Sequence, residues 1–246
     1  MLMSLNIPIK FKLYAHGWIL MKEGKMSKSK GNLVYPMDVV ERYGLDALRY
    51  YLVKEMPLGN DGLFTWERFI ERFNVDLAND LGNLVSRTIS MINKYFDGNI
   101  RKVKNCFEYD QELEDLASSV IDDYNKSFTN FRFQDGLNAV WSLISRTNKY
   151  IDETCPWTLA KDETKKDELM DVMYHLYEVL RIVSIMISPV MVDTSKIIFE
   201  ELGLKEKEKE FKNLFFGLDV DNKVIEKAII LFKRLDLQKE LEELNK

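Results

Sequence analysis

The stretch Gly24 to Asn32 reads Gly-Lys-Met-Ser-Lys-Ser-Lys-Gly-Asn, and its residue types suit a polyphosphate. Lys25, Lys28 and Lys30 supply ammonium groups, mobile point charges for phosphate oxygens. Ser27 and Ser29 add hydroxyl donors, while Gly24 and Gly31 allow tight turns and close backbone approach. A solvated basic loop is the plainer reading of that composition. Met26, an apolar residue inside the polar run, sets this stretch apart. Elsewhere the chemistry is thinner. Asp61 lies in a Gly59-Asn60-Asp61-Gly62 loop with no evident base or nucleophile to work with, so a catalytic reading of it is declined. Cys106 and Cys155 show no ligand or redox spacing and read as structural thiols of a reducing cytoplasm.

Lys25-Met26-Ser27-Lys28-Ser29, followed by Gly31-Asn32, resembles the second signature of class I aminoacyl-tRNA synthetases, a loop that binds ATP during amino-acid activation. Tyr14-Ala15-His16-Gly17-Trp18 stands upstream, and Tyr43-Gly44-Leu45-Asp46-Ala47-Leu48-Arg49-Tyr50-Tyr51-Leu52 downstream. Taken together these are similar to the methionyl-tRNA synthetase family of bacterial type. The leucine, isoleucine, valine and cysteine enzymes share a looser version. Residues 76–87 and 152–157 also resemble anticodon-recognition segments of the methionine family. The resemblance covers nearly the whole chain and weakens after about Glu200.

The resemblance implies roles residue by residue. Lys28 is the expected catalytic residue, binding ATP phosphates and stabilising the charge that develops as the adenylate forms. Lys25, Met26, Ser27 and Ser29 complete the expected ATP-binding loop. Asn83, Arg87, Pro156 and Trp157 match the positions that read the anticodon. Physical chemistry supports that set, because an unpaired RNA loop is read by stacking surfaces and by side chains that hydrogen-bond base edges. Asn83 and Arg87 are four residues apart and share a helix face. Asn offers a paired donor and acceptor, and Arg a fork of donors. Trp157 follows a helix-stopping proline that can turn the indole outward.

The implied cofactor is ATP, with Mg2+ in the complete enzyme, and no metal site is expected in this chain. The implied partners are methionine tRNA and an N-terminal catalytic half, with no membrane. The His-x-Gly-His tetrapeptide of class I enzymes is absent, since neither His16 nor His175 stands in that context, and there is no Cys-x-x-Cys pair for a zinc knuckle. The expectation is therefore the C-terminal part of a cytoplasmic methionine–tRNA ligase, inactive alone. Two other readings stay open: a noncatalytic tRNA-binding helical module, and a helical scaffold for protein partners.

The elements that must position these residues are mostly helical. Only 11 Gly and 5 Pro in 246 residues leave little room for a turn-rich sheet architecture. With 46% hydrophobic and 30% charged residues the chain falls in the globular class, and no apolar run approaches membrane-spanning length. The net charge of −5 argues against a protein that coats nucleic acid, but Lys10, Lys12, Lys22, Lys25, Lys28 and Lys30 face only Glu23 across residues 10–30. A polyanion would meet a local basic patch.

Aromatic and β-branched residues from Lys10 to Met21 predict a strand. Apolar spacing predicts a helix from Met37 to Glu55 and a long one from Trp66 to Phe96, with Thr65 as N-cap. Three more amphipathic helices follow, the last stopped by Pro189, and then a shorter one from Met191 to Leu202. The alternating Lys/Glu run 205–212 reads as an exposed helix or linker. The expected fold is mainly α. Residues 1–63 form a small α/β piece, the end of a Rossmann-type catalytic domain. Residues 64–204 form the anticodon-binding helical bundle, and 205–246 a tail that the family implies packs back on the first portion.

Overall fold

A computed structural model describes residues 3–8, 10, 11, 13–22, 24–27, 29, 32–103 and 107–244. Near its start lies a three-stranded sheet of order β2-β1-β3. The central strand β1 (Ile19–Met21) runs antiparallel to β2 (Gly24–Lys25) and parallel to β3 (Gly62–Leu63). Leu20 pairs with Lys25 on one side and with Leu63 on the other. The predicted strand from Lys10 is thus confined to its last three residues. A strand exists only where another strand offers a ladder, and here the neighbours are two residues long.

The predicted helix 37–55 is two helices, α1 (Pro36–Tyr43) and α2 (Leu45–Glu55). Gly44 between them sits at φ +89°, a conformation that favours glycine, and its N–H closes α1 on the Val40 carbonyl. The apolar spacing runs on through the break, which is why periodicity alone missed it.

The long element from Trp66 is continuous but not uniform. Thr65 Oγ1 accepts the Arg68 N–H at 3.2 Å and starts α3 (Trp66–Arg72). A π-helical segment (Phe73–Gly82) follows, then α4 (Asn83–Phe96). Phe69, Phe73, Leu77 and Leu81 are all buried and spaced by four. In an α-helix of 3.6 residues per turn such a series drifts around the axis, and the wider π turn keeps it facing the core. The segment also collects partners. Tyr50 donates to Asp76 at 2.6 Å, and Trp141 Nε1 donates to the Asp76 carbonyl at 3.2 Å.

Asp97 and Gly98, both at positive φ, end α4, and β4 (Asn99–Arg101) then pairs antiparallel with β5 (Asp221–Lys223). Around them pack α5 (Glu108–Thr129), α6 (Phe133–Thr154), the short α7 (Pro156–Leu159), α8 (Lys166–Ile187) and α9 (Val192–Glu201). From Leu169 to Ile187 every residue of α8 is buried, so this helix is the axis of the bundle rather than an amphipathic face.

The run 205–212 is exposed at five of its eight residues, in keeping with the reading of it, but it is also tied to α8. The segment forms two 3-10 turns, Glu206–Lys209 and Phe211–Asn213, and Glu208 is buried. Arg181 of α8, paired with Glu178 at 2.8 Å, donates to the carbonyls of Glu208, Asn213 and Phe215. A buried arginine elsewhere in the chain leaves no mark on the local Lys/Glu alternation. The last helix, α10 (Leu237–Leu244), docks back on the first portion. Arg42 Nε and Tyr43 Oη both donate to Glu240, at 2.9 and 2.7 Å, and the Asn74 amide exchanges two hydrogen bonds with the Leu235 backbone. The hydrophobic core is continuous from Val39 to Val224.

Candidate functional site

The phosphate-type loop hangs from the β1–β2 hairpin. Gly24 turns the chain at φ +99° opposite Met21, and Lys25 follows in register with Leu20. Asn32 ties the loop's two ends together. Its Oδ1 accepts the Ser27 N–H at 2.9 Å, and its Nδ2 donates to the Lys25 carbonyl at 3.4 Å. The Ser27 and Ser29 hydroxyls share a hydrogen bond of 2.8 Å, Met26 is half-buried, and the Lys25 ammonium stands 4.3 Å from the Trp18 ring centroid. Lys28, the expected catalytic residue, lies outside the described residues, as do Glu23, Lys30 and Gly31. Ammonium, hydroxyls and a glycine-bounded hairpin form a donor set that fits phosphate oxygens. Sequence reasoning gave Asn32 no role. Only the structure shows that its one side-chain amide bonds to the backbone of both Lys25 and Ser27.

The strand feeding the loop is held firmly. The Asp61 carboxylate accepts the Trp18 N–H at 2.7 Å, and the Trp18 carbonyl accepts the Gly62 N–H at 2.9 Å. A Cβ on Gly17 would lie 2.0 Å from the Asn60 carbonyl oxygen, so only glycine fits there. Asp61 therefore has a backbone-holding role in place of the chemistry declined for it above.

The second constellation sits where α4, α6 and α7 meet. Asn83 is exposed at the first residue of α4, directly after the π segment, with Arg87 one turn on and half-buried. Arg87 Nη2 lies 3.3 Å from Asp152 Oδ1 near the end of α6, a partner to which the sequence reading gave no role. Cys155, at φ +45°, reverses the chain, and Pro156 is buried at the first position of α7. The reversal leaves Trp157 43% exposed. Arg87 and Trp157 line one shallow depression together with Ser86, Ser90, Met91, Lys94 and Tyr95. Asn83 lies one turn before that depression on the same helix.

Among the described residues, Asp110, Asp171 and His175 are the one trio whose ligand-type atoms all lie within 4.8 Å. They are buried and held by hydrogen bonds. Tyr150 Oη and the Phe107 N–H donate to Asp110 at 2.6 and 2.7 Å. His175 Nδ1 contacts the Asp171 carbonyl at 2.9 Å, and Nε2 contacts Glu114 at 3.1 Å. Burial alone would lower the imidazole's pKa. The hydrogen bonds and charge of Asp171, with Asp110 behind it, more than offset this and raise it to about 9. Both ring nitrogens are thus engaged by acidic residues of the protein.

Comparison with known proteins identifies the family. The family model "tRNA synthetases class I (M)" matches residues 1–89, and "Anticodon-binding domain of tRNA ligase" matches residues 110–243. The chain is 51% identical over 245 residues to the methionine–tRNA ligase of Listeria monocytogenes serotype 4b (strain F2365), and 51% over 244 residues to that of Bacillus subtilis (strain 168). Each match covers 98% of this chain, which spans 37% of the length of those relatives. Among solved structures, Mycobacterium tuberculosis methionyl-tRNA synthetase bound by methionyl-adenylate matches with a TM-score of 0.86 and 32% identity, over 93% of this chain and 45% of that one. Its apo form gives 0.84 and 28%, over 96% and 46%. With the anticodon-binding model over more than half its length, the class I (M) model over residues 1–89 and ligase relatives 51% identical along nearly all of it, the chain belongs to the methionyl-tRNA synthetase family of class I tRNA ligases.

Proposed function

We propose that this chain supplies two parts of a methionine–tRNA ligase: the loop that holds ATP phosphates and the surface that reads the tRNA anticodon. The observation that carries the second part is the exposed indole of Trp157 sharing a depression with Arg87. A half-exposed indole beside a guanidinium and small hydroxyls is suited to stacking and edge recognition of an unpaired base. Asn83, presented at the same end of α4, adds a donor and acceptor for a neighbouring base edge. Pro156, buried at the start of α7, is the fourth anticodon position and sets the direction of the Trp157 side chain.

Lys25, Met26, Ser27, Lys28 and Ser29 form the ATP loop in this reading, and Lys28 stabilises charge as methionine is joined to ATP. ATP is the cofactor in this reading, with Mg2+ in the complete enzyme. The division of labour follows the sequence: 1–63 for the nucleotide, 64–204 for the anticodon, 205–246 as the tail that joins them. The cytoplasm is the setting, and methionine tRNA and a complementary catalytic portion are the partners. No helix among the described residues is long and apolar enough to cross a membrane.

The test is Trp157→Ala, read twice on the same protein. Loss of base–aromatic stacking costs about 1–3 kcal/mol, which is roughly 5- to 150-fold in tRNA affinity. Thermal stability should barely move, because the side chain is exposed. Phe at this position should restore part of the affinity. A variant that melts early yet binds methionine tRNA normally ends the assignment.

A further inference from the structure

We propose that Trp18 is a positioning residue for the phosphate loop, its indole face holding the Lys25 ammonium ready for a triphosphate. The inference rests on the reading of this loop as an ATP site. Trp18 is 63% exposed, yet its backbone is fixed on both sides. The Asp61 carboxylate takes its N–H, Gly62 donates to its carbonyl, and the preceding Gly17 is pressed against Asn60. The indole is therefore an exposed platform on a rigid base. Lys25 is fixed across the hairpin by its register with Leu20 and by Asn32, which holds its carbonyl. Two anchored backbones thus bring the ammonium to 4.3 Å from the ring centroid.

An ammonium over an indole gives up one side to the ring and keeps N–H groups free on the other. A free lysine side chain loses considerable rotamer freedom when a ligand fixes it. Over Trp18 much of that freedom is already gone, so the indole makes Lys25 a better phosphate donor without touching the phosphate itself.

The test uses the 246-residue chain with inorganic triphosphate as probe, followed by shifts of the loop's backbone amides in NMR titrations. Lys25→Ala should weaken binding. Trp18→Leu should weaken it about two- to fivefold, the worth of an exposed cation–π contact. Trp18→Phe, which keeps a π face, should restore most of the loss. In the unaltered chain the Lys25 ε-methylene protons should be shifted upfield by the ring, and the shift should vanish in Trp18→Leu. Absence of that shift in the unaltered chain overturns the inference without any variant. Normal binding by Trp18→Leu alongside weakened binding by Lys25→Ala overturns the inference and leaves the ATP-loop reading standing. Equal losses in Trp18→Leu and Trp18→Phe overturn it too, and binding insensitive to Lys25→Ala removes both.

Discussion

Asn83 and Arg87 differ in what surrounds them, and that sets what each substitution should do. Asn83 is exposed, so Asn83→Ala should leave stability within about 0.5 kcal/mol. Arg87 pairs with the exposed Asp152, and such surface pairs contribute little. Both variants should therefore fold normally and lose tRNA affinity. They should also lose discrimination, by about 1–3 kcal/mol per lost bidentate contact, between the methionine CAU anticodon and altered ones. Competition binding with anticodon-substituted tRNAs measures this, and unchanged discrimination would remove both residues from the reading. Buried charge behaves differently. His175 faces Asp171, Asp110 and Glu114, with Tyr150 beside them, and its pKa rises to about 9 from the ordinary 6.5. A raised histidine contributes stability that is complete below pH 6.5 and lost as pH climbs through 9. Burial pushes the Asp171 carboxyl up as well, which works in the same direction. Chemical denaturation from pH 7 to pH 10 should show falling stability, and His175→Gln should flatten that slope.

Helix α8 carries the bundle, and the segment after α9 depends on one of its side chains. Arg181 and Glu178 are fully buried and paired. The guanidinium holds three carbonyls of the 206–215 stretch, while Glu178 accepts the Gly217 and Leu218 N–H groups. Removing the guanidinium leaves an uncompensated buried carboxylate, so Arg181→Met should cost about 3–5 kcal/mol. It should also make residues 205–218 the first site of limited proteolysis, because their carbonyls lose the donor that orders them. A variant of unchanged stability would show that the pair contributes nothing net. The π segment is the other element with several attachments. It takes hydrogen bonds from α2 through Tyr50, from α6 through Trp141 and Asn148, and exchanges them with the tail through Asn74. Its end is also the start of the helix that presents Asn83 and Arg87.

At the scale of the molecule, one continuous core joins the hairpin unit to the bundle, and α10 fastens the far end of the chain back to α1. The 246 residues should therefore unfold in a single cooperative, strongly helical transition, observable as coincident circular dichroism and fluorescence melts. Two separated transitions would contradict the shared core. The same chain should fail to catalyse methionine-dependent ATP–pyrophosphate exchange. Its sequence holds the phosphate loop without the first class I signature, and a loop that contacts phosphates does not by itself align ATP with methionine for reaction. Robust exchange by purified protein would sink that expectation. In a complete enzyme, Lys28→Ala should slow activation far more than it weakens methionine binding, since its benefit grows with transition-state charge.

Local chemistry was legible without coordinates wherever it acts through near neighbours in the chain. The Lys/Ser/Gly run, the Thr65 cap, the helix end at Phe96 and the helix-ending Pro156 are all short-range signals, and each appears in the structure at its expected place as far as the described residues extend. The break at Gly44 and the π turns at 73–82 were carried only weakly, by one glycine and by a spacing of four that an α-helix tolerates for a turn or two. Long-range pairing decided the rest. Asp61 holds Trp18 across 43 residues, Asp152 meets Arg87 across 65, and Arg42 meets Glu240 across 198. A side chain's partner at such separations depends on how helices stack around α8. That stacking is fixed by the shape and volume of the whole core, which no window of sequence contains.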